Sequence, residues 1–97
     1  MLLTLEALRA RKVEILGLAA RHGAHKVRVF GSVVRGEATL TSDADFLVEM
    51  EPGRSYMDLV ALWQDLQDLL GTNVDVLAEG GLSPYLHDRI EAEAVLL

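Results

Sequence analysis

The sequence predicts an α/β domain, a small mixed sheet with helices covering one face. Three observations lead there. Short runs that alternate apolar and polar residues (HKVRVF, DADFLVEM and NVDVL) are interspersed with segments of helical period. Glycine-containing turns punctuate the boundaries between them. The link between the first two runs has no room for a long crossover helix, which favours their antiparallel pairing, whereas a strong helix separates the second run from the third. At 97 residues the chain has room for one two-layer core, and residues 1–97 are expected to form a single domain.

The elements follow in order. From Leu5 to about Arg21 apolar residues recur at Leu5, Leu8, Leu16 and Ala19, widened by Val13, Ile15 and Leu18. This is one amphipathic helix with Thr4 as cap and His22-Gly23 as stop. His25 to Phe30 alternates polar residues with Val27 and Val29, a strand that runs into a Gly31-Ser32 turn. Ser32 is suited to cap a short helix ending at Gly36, and Glu37 to Ser42 is surface loop. Asp43 to Met50 is a second strand. Its period places Asp43, Asp45, Leu47 and Glu49 on one face and Ala44, Phe46, Val48 and Met50 on the other. After Pro52-Gly53, Ser55 and Asp58 form a capping box for a helix whose face carries Leu59, Leu62, Trp63, Leu66 and Leu69, ended by Gly71. Asn73 to Leu77 is a third strand with Asp75 at its centre. Ser83-Pro84 opens a last helix with Leu86 and Ile90, and Val95 to Leu97 can add a short edge strand.

Composition narrows the function. The formal charge of −6 repels phosphate backbones, so direct nucleic-acid binding is disfavoured while a free, metal-bound nucleotide remains compatible. Cysteine is absent, which removes disulfides, thiolate metal sites and cysteine nucleophiles. The Leu-rich start from Met1 to Leu8 is interrupted by Glu6, with Arg9 next, so it resembles neither a signal peptide nor a membrane span, and the expected location is the cytoplasm.

Chemistry concentrates between Gly31 and Asp45, GSVVRGEATLTSDAD. Gly31 permits close backbone approach to a phosphate, Ser32 offers a hydroxyl and helix-start N–H groups, and Arg35 lies one turn on. Asp43 and Asp45 share a strand face and repel each other unless they share a divalent cation or bridge two. Asp75, in an otherwise apolar strand, is the third element. Three carboxylates on one sheet face make a hard oxygen site suited to Mg²⁺ or Mn²⁺. An isolated Asp-Ala-Asp is most often a solvated loop end, and a Gly-Ser turn with an arginine is often only a turn. Their conjunction on elements of the right type shifts the balance. A calcium loop is excluded by Leu47 at a ligand position, and there is no Walker Gly-Lys-Ser/Thr. His22, His25 and His87 have no ligand spacing and are read as surface or capping residues. Tyr56, Met57 and Trp63 are read as core or partner contacts.

Gly-Ser, ten residues, Asp-Ala-Asp and a later strand aspartate resemble the signature of the polymerase-beta-like nucleotidyltransferases, whose palm is the fold this implies. The short chain is similar to their minimal, MNT, members. That resemblance implies phosphate binding by Gly31, Ser32 and Arg35, two Mg²⁺ held by Asp43, Asp45 and Asp75, and help from Asp75 in activating an acceptor hydroxyl. Val34 departs from the alanine usual before that arginine. It further implies an ATP-binding antitoxin of a toxin-antitoxin system, paired with a HEPN toxin, which transfers AMP onto a hydroxyl of its partner. The rival reading is a non-catalytic protein that neutralises the partner by occlusion. Apolar residues beyond the needs of the core can support a homo- or hetero-oligomer.

Overall fold

The computed structural model describes residues 3–97, so Met1 and Leu2 of the Leu-rich start lie outside the described residues. The elements are α1 (Leu5–Ala10), α2 (Lys12–Arg21), β1 (Ala24–Phe30), α3 (Ser32–Arg35), β2 (Ala44–Met50), α4 (Tyr56–Leu70), β3 (Val74–Ala78), α5 (Pro84–Glu93) and β4 (Val95–Leu96). They form a four-stranded mixed sheet in the order β3-β2-β1-β4. β1 runs antiparallel to β2 and to β4, and β2 runs parallel to β3 with α4 as the crossover.

The expected first helix is two. It breaks at Arg11, which has non-helical backbone angles of φ −108° and ψ 20°. The Arg11 guanidinium reaches across to donate to the Leu69 carbonyl at 2.8 Å, tying the break to α4. Thr4 caps α1 as expected, accepting from the Ala7 N–H at 3.0 Å. Leu8, Ile15 and Ala19 are buried, but Val13 is 86% exposed. Val13 lies two residues before Ile15, about 200° around the helix, and so points to solvent.

In α4 the buried residues are Leu62, Leu66 and Leu70, one turn apart, with Leu59 and Leu69 at the margin. Trp63 was expected on the buried face but is 37% exposed. Its indole N–H instead donates to the Val74 carbonyl at 2.6 Å and stitches α4 to the start of β3. The expected capping box is present at Ser55 and Asp58, and Gly71 closes the helix in the left-handed region at φ +66°.

One face of the sheet supplies Val27, Val29, Phe46, Val48 and Val74 to a core shared with α1, α2 and α4. A bulge sets the phase of β1. His25 pairs with Glu49 and Arg28 with Leu47, so Lys26 and Val27 together oppose Val48, and Lys26 takes φ +50°. Ala24 and Val27 can then both face the core despite their odd spacing. The expectation that helices cover one face needs correction. Arg28 points away from Val27 and Val29, and on that other side it pairs with Glu79 and, at 3.2 Å, with Glu91 of α5. α5 therefore lies on the opposite face, with none of its residues buried.

Leu62 is fully buried at the centre of the α4 face. Leu62→Ala should cost about 3 kcal/mol of unfolding free energy, the usual sum of lost transfer energy and a residual cavity. Urea unfolding followed through Trp63 fluorescence measures it.

Candidate active site

Strand register brings the chemistry together. Phe30 of β1 pairs with Asp45 of β2, and Asp45 pairs with Asp75 of β3. The Gly31 turn, Asp45 and Asp75 thus stand level across three adjacent strands, on the face away from the core. β2 starts at Ala44, one residue later than expected, so Asp43 precedes the strand and is half-buried, while Asp75 is exposed.

Gly31 is buried and adopts φ +83° and ψ −156°, a conformation that side chains rarely adopt. A Cβ there would collide with Asp45 Oδ2, so the missing side chain is what lets that oxygen pack against the turn. Gly31, not Ser32, is the N-cap of α3. Its carbonyl accepts from the Val34 N–H at 3.1 Å and the Arg35 N–H at 3.2 Å. Ser32 opens the helix half-buried, and Gly36 ends it in the left-handed region.

Arg35 is exposed and held between two carboxylates, Glu37 and Glu93, each at 2.5 Å. Glu93 also accepts the Gly31 N–H at 2.8 Å. Sequence reading missed Glu93. It is one acidic residue on a polar helix far along the chain, and only the folding of α5 back across the sheet brings it to the turn.

Burial and then the neighbouring Asp75 carboxylate, with a further contribution from Asp43, push the Asp45 pKa up to about 6. Negative charge is crowded here, and the donors are all hard oxygens. That combination suits a divalent cation of the Mg²⁺ class. Asp43, Asp45 and Asp75 are less tightly gathered than Glu79, His87 and Glu91, whose ligand atoms all lie within 4.8 Å of one another. That second cluster already holds a cation, because Arg28 pairs with both of its glutamates. His87 bonds Glu79 at 2.5 Å and Glu91 at 2.7 Å, a bracing role for a histidine read as surface or capping. His22 pairs with Asp65 at 2.6 Å and joins the end of α2 to α4, and His25 lies 3.7 Å from Glu49.

Two open cavities flank the carboxylates. One, about 290 Å³, lies between the Gly31 turn and α5 and is lined by Phe30, Arg35, Leu86, Arg89 and Glu93. The other, about 280 Å³, lies beyond Asp75 against Tyr56, Val60 and Trp63.

The chain matches the Nucleotidyltransferase domain family over residues 15–97. It belongs to that family. A chain assigned as a protein adenylyltransferase in Methanocaldococcus jannaschii is 44% identical over 84 residues, which cover 87% of this chain and 90% of that one. A solved structure assigned as a minimal nucleotidyltransferase is 50% identical with a TM-score of 0.86, covering 98% of this chain and 97% of its own. A chain in the complex of tri-AMPylated Shewanella oneidensis HEPN toxin with MNT antitoxin shares the fold at 18% identity and a TM-score of 0.70, covering 91% of this chain and 69% of that one. The mixed four-stranded sheet is therefore that of a minimal nucleotidyltransferase, and the family is typically metal-dependent. Among the described residues no helix is long and apolar enough to cross a membrane.

Gly36 shares the positive φ of Gly31, but nothing lies within 4 Å of its virtual Cβ. Gly36→Ala should cost about 1 kcal/mol, the strain of a left-handed backbone alone. Gly31→Ala should cost more and displace Asp45 as well, an ordering that parallel urea titrations test.

The raised Asp45 pKa also has a sign. In the fold Asp45 binds its proton more tightly than in the unfolded chain, so it favours folding in acid and loses that contribution as pH rises from about 4 through about 6. Metal-free Asp45→Asn should therefore melt higher than the parent at pH 7, with the gap closing toward pH 4.5.

Proposed function

We propose that this protein transfers AMP from ATP to a hydroxyl group of a partner protein, releasing pyrophosphate, and that the partner is a HEPN-type toxin which it neutralises as an antitoxin. The observation that carries the reading is the row formed by Gly31, Asp45 and Asp75 across three paired strands. The protein adenylyltransferase and the complex with an AMPylated toxin among the similar chains support it.

Asp43, Asp45 and Asp75 would hold the metal, two Mg²⁺ with Mn²⁺ as a substitute. Bound there, such ions neutralise charge developing on the phosphates and acidify an acceptor hydroxyl. The remaining work falls to this chain's own groups. Gly31, Ser32 and Arg35 bind the phosphates that leave. Sheet order places them on one side of Asp45 and Asp75 on the other. In-line displacement needs the attacking and leaving oxygens on opposite sides of the α-phosphorus. The acceptor oxygen then enters from the side of Asp75, which lines the open cavity with Tyr56 and Trp63, and the exposed Asp75 carboxylate takes its proton. The new bond joins that oxygen to the α-phosphorus, and the bond to the bridging oxygen of pyrophosphate breaks.

Incubation with ATP labelled at the α-phosphate, Mg²⁺ and the partner protein tests the proposal. Label should appear on the partner, and Asp43→Asn or Asp45→Asn should reduce it to background. Transfer that survives either substitution removes the assignment, and tight partner binding with no transfer by the parent protein favours occlusion instead.

A further inference from the structure

We propose that Glu93 sets nucleotide affinity by standing in for a phosphate at Gly31 and Arg35, so that a triphosphate must displace it to bind. The proposal rests on the reading of Gly31 and Arg35 as phosphate donors. Both Glu93 carboxylate oxygens are engaged, Oε2 by the Gly31 N–H at 2.8 Å and Oε1 by Arg35 Nη1 at 2.5 Å. A carboxylate and a phosphate each present two oxygens to such a pair of donors, so the two compete for the same charge-assisted hydrogen bonds. Arg35 holds the Glu93 carboxyl below its usual pKa, which keeps it an anion. An incoming triphosphate meets that charge on the wall of the cavity it must enter.

The Glu93 side chain can yield. α5 has no buried residue and contributes none to the hydrophobic core or to the apolar residues packed against it. Polar pairs bind it to the sheet: Arg28 with Glu91, Glu79 with His87, and Gly31 and Arg35 with Glu93. The helix end itself is held, since Ala94 leads straight into β4 on β1, so the part that moves is the Glu93 side chain, which is partly exposed. A receiver for the displaced carboxylate is present. Arg89 lies four residues earlier on the same helix, and its charge already acts on Glu93. Glu93 thereby neutralises Arg35 in the free protein and gives it up to a ligand that offers more negative charge.

Glu93→Gln keeps an oxygen acceptor and the side-chain shape but removes the charge. Calorimetric titration of the full chain with ATP and Mg²⁺ should show Glu93→Gln binding roughly three- to tenfold tighter than the parent. In an Arg35→Ala background the same substitution should gain almost nothing. Equal or weaker binding by Glu93→Gln overturns the proposal and makes Glu93 a brace for the turn. An Arg35→Ala single variant that binds ATP as well as the parent would instead overturn the phosphate-cradle reading, and this proposal with it. A measurement on the parent protein needs no variant. Inorganic pyrophosphate titrated into ¹⁵N-labelled protein should shift the Gly31 amide resonance, and binding that leaves this resonance in place also overturns the proposal.

Discussion

Everything at the site depends on the register of three strands. Antiparallel pairing of Phe30 with Asp45 and parallel pairing of Asp45 with Asp75 place a backbone turn and two carboxylates in one row. Side chains alternate along a strand, so a one-residue slip would turn Asp45 and Asp75 into the core and expose Phe46 and Val74. Burial of those two apolar residues therefore holds the carboxylates outward. The β1 bulge serves the same end. By inserting one residue near Lys26 it lets Ala24 and Val27 both reach the core while the end of β1 still meets Asp45. The hydrophobic face fixes the polar face because the backbone between them has only one phase.

The carboxylate row costs stability, and the core on the other side of the sheet offsets that cost. Asp45 is partly desolvated beside two like charges, and its raised pKa records the strain. Gly31 adds a conformation that a side chain would oppose, held by the α3 bonds to its carbonyl. Both features gather negative potential beside the turn. A divalent cation bound there would relieve that repulsion and so couple ligand binding to local stability.

α5 belongs to a different regime. The helices on the core face are tied down by apolar burial, whereas α5 is tied down by charge. Arg28, buried among Glu79, Glu91 and the adjoining His87, is the centre of that attachment. The Arg35–Glu93 pair at the other end is partly exposed, and such pairs are weak individually and respond to salt and to competing ions.

The residue types, their periods and the spacing from Gly31 to Asp45 settled a great deal alone. The α/β class, the mixed sheet, the capping box at Ser55 and the shared face of Asp45 and Asp75 were all legible because each follows from local period or turn chemistry. Other features depended on contacts that no local pattern contains. The break at Arg11 is tied down by a carbonyl of α4, and Trp63 turns from the core to bond a carbonyl of β3. Arg28 and Glu93 are ordinary surface charges by composition, and α5 lacks the apolar stripe that would reveal where it docks. Sequence determined the elements and the three carboxylates, since hydrophobic period and glycine stereochemistry act over a few residues. Only the tertiary structure decided which charged groups meet, because the Gly31 N–H bond to Glu93 and the Arg35–Glu93 ion pair each span some 60 residues of chain and exist only once the sheet has folded.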